Sequence, residues 1–134
     1  MRCACDVPSA LYTMASKEFK INGKTINSAS LDISSCSTVQ TPYTDLSGIW
    51  GGEVQYSLPL DQSDYNLGGT GIQLLNAAPG GTIDVKSHVQ TRANEGKSRF
   101  QIRLHPAGPT DADAQADYIS CGASAPKLTV NYQP

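Results

Sequence analysis

The chain has 134 residues, 39% hydrophobic and only 16% charged, with 12 Gly, 8 Pro and a formal charge of -2. That length suits one domain able to bury its own core. Few charges and many turn formers suit a β-sandwich better than a helical bundle, whose exposed faces carry Lys and Glu. The charge argues against general attraction to nucleic acid or membrane surfaces, and no apolar run reaches the roughly 18 residues that insert across a bilayer.

The first sixteen residues, MRCACDVPSALYTMAS, show no clean period. They lack the charged, apolar and small-residue zones of a signal peptide. Either a mature form begins here after an added Met1, or export does not use this segment. Residues 1–18 are read as a cysteine-bearing arm and 19–134 as one domain. Phe19 and Ile21 open a strand, and Asn22-Gly23-Lys24 is a turn signal. In Ile26 to Ser34, Ala29, Leu31 and Ile33 alternate with Ser28, Ser30 and Asp32, the period of a half-buried strand. A polar segment from Cys36 to Gly48 leads into Ile49-Trp50-Gly51-Gly52.

Glu53 to Leu60 is the cleanest strand pattern of the first half, with Val54, Tyr56, Leu58 and Leu60 on one side. Pro59 lacks an amide hydrogen and places the end of that strand at a sheet edge or against a loop. Asp61 to Gly71 reads as a loop, Ile72 to Leu75 as a short strand and Asn76 to Gly81 as a turn. Asp84 to Gln90 closes one helical turn, with Asp84 capping the amide of Lys86 or Ser87. In the last third, Phe100, Ile102 and Leu104 alternate with Gln101 and Arg103, Asp117 to Ser120 forms a short strand, and Leu128, Val130 and Tyr132 alternate with Thr129 and Asn131. Asn94-Glu95-Gly96, Pro106 to Pro109 and Ala123 to Pro126 punctuate these strands. About eight strands, and no helix longer than about two turns, predict an all-β fold: an antiparallel, jelly-roll-like β-sandwich.

Cys3, Cys5, Cys36 and Cys121 are even in number and dispersed, as two disulfides of a secreted or cell-surface protein would be. A direct Cys3–Cys5 bridge is strained, so Cys36 and Cys121 are each expected to take one partner from the N-terminal pair. A tetrahedral zinc site is the competing reading, but the Cys-x-x-Cys knuckles of structural zinc are missing.

INSASLDI (Ile26 to Ile33), TIDVKSHVQ (Thr82 to Gln90), RFQIRL, DYISC and the closing PKLTVNY resemble the DNRLRE-type domain of extracellular proteins, whose members include alginate-binding carbohydrate-binding modules. Ile26, Ser28, Ala29, Leu31 and Ile33 match its "I-x-S-A-x-L-x-L" strand; Asp84, Val85 and Val89 match its "D-V-T-x-x-V" turn, with Lys86 where Thr is usual. Pro126, Leu128, Val130 and Tyr132 match its final "P-x-L-x-V-x-Y". Cys121 stands where such domains often carry an aromatic residue, and the family's opening strand is replaced by the cysteine-bearing arm. The resemblance implies a β-sandwich that binds or builds extracellular material, and fixes no ligand.

Nothing marks an enzyme: there is no nucleophile elbow, no His-Glu-x-x-His and no phosphate loop before a helix. The two histidines, His88 beside Asp84 and His105 at a strand end, read as surface residues. In the loop after Pro109, Asp111, Asp113 and Asp117 offer oxygens of the kind calcium takes, against the plainer reading of a solvated hairpin. No other cofactor is implied. Five of the ten Lys and Arg fall between Lys86 and Arg103. Strand parity puts Arg99, Gln101 and Arg103 on one outer face, joined by Lys127 if the last strand is a sheet neighbour. Such a face suits an acidic polysaccharide, since guanidinium forks match carboxylates. Trp50, Tyr43 and Tyr65 lie in Gly- and Asp-rich contexts where a ring can stack on a sugar or plug one end of a core. Two functions are therefore expected: a non-catalytic carbohydrate-binding module, or a structural subunit of an extracellular filament, sheath or coat whose copies exchange strands through the arm.

Overall fold

The computed structural model describes residues 14–18 (backbone), 21–57, 59, 61, 63–64, 67–79, 81–97, 99–109, 111–121 and 126–133. Cys3, Cys5 and Tyr65 lie outside the described residues, as do Phe19, Leu58 and Leu60. The fold is mostly β. Its strands are β1 (Met14–Glu18), β2 (Ile26–Asp32), β3 (Ser37–Val39), β4 (Ile49–Glu53), β5 (Thr70–Leu75), β6 (Thr82–Asp84), β7 (Arg99–Pro106), β8 (Tyr118–Ser120) and β9 (Lys127–Tyr132). Two short helices interrupt them, α1 (Pro42–Asp45) and α2 (Lys86–Asn94). All pairings are antiparallel, in sheets ordered β1-β7-β4-β5, β6-β2-β9 and β3-β8.

The core takes side chains from both larger sheets. Ile49, Leu75, Phe100, Ile102 and Leu104 come from the four-stranded sheet, and Ile26, Ala29, Leu31, Ile83 and Leu128 from the three-stranded one. The alternation of β7 therefore holds on its apolar side, and so does that of β2. Ile26 and Ala29 share the buried face although three residues apart, because a register shift between Ile26 and Ser28 inserts the extra residue. At the other end of the core, β9 keeps Leu128 buried but leaves Tyr132 exposed.

Residues 14–18, assigned by sequence to the arm, form the edge strand beside β7. Asp84 does accept the Lys86 amide, at 2.9 Å, but the expected single turn continues as a nine-residue helix. Its burial pattern is apolar at helical spacing: Val85, Val89 and Ala93 are completely buried against the core. Asn94-Glu95-Gly96 is thus the end of a helix and not a turn between strands. Gly96 sits at φ 71°, its amide on the Ala93 carbonyl at 3.2 Å, while the Lys97 amide reaches Arg92 at 3.0 Å. That is a Schellman cap, which requires a left-handed residue at this position.

The strand expected over Glu53 to Leu60 does not extend beyond Glu53 through residues 54–57. The ladder stops at Glu53, with one further bond from the Val54 amide to the Gln101 carbonyl at 3.1 Å. Beyond it the Gln101 side-chain amide acts as the partner. The Tyr56 amide donates to Gln101 Oε1 at 3.1 Å, and Gln101 Nε2 donates to the Tyr56 carbonyl at 2.9 Å. Val54 and Tyr56 are buried, as their alternation suggests, but apart from the main core. They cover the far side of β7 at Gln101.

Cys36 and Cys121 bridge each other, with Cα atoms 4.3 Å apart, and not two N-terminal cysteines. The register explains this. Ser37 pairs with Ser120, so Cys36 and Cys121 are the next opposed positions of the same antiparallel ladder, where Cα separations are shortest. Both pack on the core edge. The bridge links positions 85 residues apart, a loop whose closure lowers unfolded-state entropy by about 4–5 kcal/mol in the chain-entropy model. The double substitution Cys36→Ala/Cys121→Ala is expected to cost about 2–5 kcal/mol in urea unfolding; a loss below about 1 kcal/mol would show that the β3–β8 ladder holds without it.

Candidate binding groove and charged clusters

Alternation along β4 sends neighbouring residues to opposite faces. Ile49, Gly51 and Glu53 turn inward, while Trp50 and Gly52 turn outward. Trp50 is opposite His105 of β7, and Gly52 opposite both Arg103 of β7 and Gly71 of β5. These residues and Gly69 line an open groove on the outer face of the four-stranded sheet. At Gly69 a side chain is excluded, since a Cβ there would lie only 2.6 Å from the Glu53 carbonyl oxygen, whereas a Cβ at Gly71 would meet the Trp50 ring at an ordinary contact distance of 3.6 Å. Trp50 keeps 36% exposure, unusual for the largest apolar side chain of a small domain. Arg103 Nη2 donates to the Leu67 carbonyl at 3.0 Å and so holds the segment before Gly69 over the sheet.

A second depression begins at Gly69 and is lined by Glu53, Val54, Gln55, Gly68, Thr70 and Arg92. Glu53 is buried here. His88 Nδ1 stands 3.0 Å from its Oε2, and Arg92 Nε forms an ion pair with its Oε1 at 2.5 Å, without hydrogen-bond alignment. His88 and Arg92 are one helical turn apart on α2, so both reach one carboxylate. Arg92 Nη1 also pairs with Glu95 Oε2 at 2.6 Å. Asp84 caps Lys86 as expected, whereas His88, read from sequence as a surface residue, is half-buried against Glu53.

At the opposite end of β4, Asp45 of α1, Asp111 of the β7–β8 loop and Asp117 before β8 bring carboxylate oxygens within 4.8 Å of one another. Asp117 is buried, and its pKa is raised, first by burial and then by Asp45 and Asp111, with the Thr41 amide pulling the other way. Asp113 is not part of this cluster; its Oδ1 accepts the Gln115 amide at 2.7 Å.

Of the sequence-derived binding residues, Trp50 and Arg103 meet in the groove. Gln101 does not, being 2% exposed under Tyr56. Arg99 lies two residues beyond Gln101 at the start of β7, half-exposed and away from the groove lining. Lys127 is on β9, in the other sheet, so β7 and β9 are not neighbours and the proposed four-residue face does not form. Tyr43 packs against the core from α1. Glu53, Arg92, His105 and Asp45 were missed by sequence reading. For Glu53 a signal existed: it shares the inward parity of Ile49, so a carboxylate there needs buried partners.

No protein-family model, no curated protein and no solved structure matches the chain. The groove and the two clusters are therefore read on their own chemistry.

Gln101 can be separated from ligand binding experimentally. Truncation to Ala removes the two side-chain hydrogen bonds that Gln101 makes to the Tyr56 backbone, which costs roughly 1–3 kcal/mol. Gln101→Ala is thus expected to lower the unfolding free energy by that amount, read by urea denaturation; a variant as stable as the parent would contradict the bridging role.

Proposed function

We propose that the chain is a non-catalytic, secreted or cell-surface β-sandwich module of jelly-roll type that binds an acidic polysaccharide in the Trp50 groove. The observation that carries the reading is an exposed indole set over glycines, with Arg103 and His105 on the adjacent strand. An indole offers a flat apolar face to the C–H face of a sugar ring. The positive charge of the guanidinium beside it, which also holds the Leu67 carbonyl, favours a uronate over a neutral sugar. Glycines beside the ring let an extended chain approach the backbone closely.

Three further observations support the reading. The two larger sheets contribute to one core, as a sandwich requires. Of the motif positions that resemble DNRLRE-type domains, Ile26, Ala29, Leu31, Ile33, Val85, Val89 and Leu128 are buried, Pro126 and Val130 are half-buried, and Ser28, Asp84 and Tyr132 are exposed. The Cys36–Cys121 disulfide suggests an extracellular milieu, and no helix among the described residues is long and apolar enough to cross a membrane. The alternative, a strand-exchanging structural subunit, draws on one feature: β1 is an edge strand near the N-terminus, the kind of element that neighbouring copies trade.

Trp50 is the only tryptophan, so its emission reports the groove directly. Titration with a uronate polymer is expected to shift that emission, with affinity falling as salt rises. Trp50→Phe should keep most of the binding. Arg103→Ala should weaken it by about tenfold or more, the cost of truncating a central contact. An unchanged spectrum with acidic and neutral polymers alike, from a protein that sediments as a polymer, would favour the structural-subunit reading instead.

A further inference from the structure

The Asp45, Asp111 and Asp117 cluster carries an inference independent of the groove. Asp117 is 9% exposed, and neither of its carboxylate oxygens has a hydrogen-bond partner of good geometry. A buried carboxylate without a well-aligned donor or a counter-charge costs several kcal/mol if it stays charged. This one is aimed at two more carboxylates, so the site repels itself. None of the three is paired with a Lys, Arg or His among the described residues. The pattern differs sharply from that of Glu53, a carboxylate equally buried in the same protein but flanked by His88 and Arg92. One of these sites supplies its own counter-charge. The other lacks it.

The remaining hydrogen bonds leave oxygens available for a metal. Asp45 Oδ2 accepts the Thr41 hydroxyl, and Asp111 Oδ1 accepts the Asp113 amide at 3.2 Å. Asp45 Oδ1, Asp111 Oδ2 and both oxygens of Asp117 accept no well-aligned hydrogen bond among the described residues, the Thr41 amide being the one donor that acts on Asp117. Gln115, which the loop also places nearby in sequence, is engaged by Gln40.

We propose that Asp45, Asp111 and Asp117 bind a calcium ion. A carboxylate-only donor set selects a hard cation over zinc or copper. Three side chains from three separate segments leave room for waters, which suits the loose six-to-eight-oxygen shell of calcium better than the strict octahedron of magnesium. Because α1 leads into β4 and Asp117 leads into β8, the ion would tie these segments together beside the β3–β8 ladder. It is a structural site, with no role in catalysis.

The test is thermal unfolding of the full chain, freed of metal by chelation, with calcium or magnesium added at constant ionic strength. Millimolar calcium is expected to raise Tm by about 5 °C or more, as ligand linkage for a domain of this size gives. Calorimetric titration should show one site per chain. Asp117→Asn and the more exposed Asp111→Asn should each abolish the calcium response. Without metal, Asp117→Asn should match or exceed the parent in Tm, because it removes the unpaired buried charge. No response to calcium, or a response that survives in both variants, would overturn the site. An equal response to magnesium would overturn its assignment to calcium.

Discussion

The structure depends on one buried carboxylate. Glu53 ends β4 on its core face, where the preceding inward positions are Ile49 and Gly51. A charge there is tolerable only if opposite charge comes to it, and α2 brings His88 and Arg92 to its two oxygens. The requirement fixes more than the helix. Strand register is a choice between two faces, and a slip of one residue in β4 would turn Glu53 outward and Trp50 into the core. Glu53 can meet His88 and Arg92 in only one of those registers. The same interaction that docks α2 therefore keeps the indole outside.

The outer face of the four-stranded sheet divides from there. Near Glu53 the chain leaves the ladder and folds over β7, where Gln101 receives the Tyr56 backbone as a strand would. Further along, no chain covers β4 and β7 among the described residues, and Trp50, Arg103 and His105 border the groove. Arg103 contributes to the boundary by holding the Leu67 carbonyl. The opposite end of β4 is organised differently: a disulfide extends the β3–β8 ladder by one covalent rung, next to a trio of carboxylates.

What could be read from the sequence was whatever depends on near neighbours. Phe100, Ile102 and Leu104 in β7, and Ala29, Leu31 and Ile33 at β2, showed their period because one face is apolar throughout. Val54 and Tyr56 showed theirs too, and are buried, yet no strand forms there, because their partner is a side chain 45 residues away and not a backbone. Gln101 looked outward-facing by parity, and it is on the outer side; what parity cannot report is that Tyr56 lies on top of it. The disulfide pairing follows from a register between two three-residue strands, too short to leave a pattern. The helix was recognised only at its start, because its length is carried by Val89 and Ala93 packing on the core and by the Gly96 cap, which also reads as an ordinary turn signal.

Trp50 and Arg103 were each picked out for a different reason, one as a lone aromatic and the other as part of a basic run, and the β4–β7 register unites them. Asp45 was invisible for the opposite reason. It lies in a segment with no period and meets Asp111 and Asp117 only through the tertiary fold. The most direct measurement on the account is a double-mutant cycle between Glu53→Gln and Arg92→Met, read by urea unfolding. If Glu53 anchors α2 through Arg92, the two losses should fall short of additivity by about 1–3 kcal/mol. Additivity within about 0.5 kcal/mol would contradict the claim that this buried pair holds helix and sheet in register.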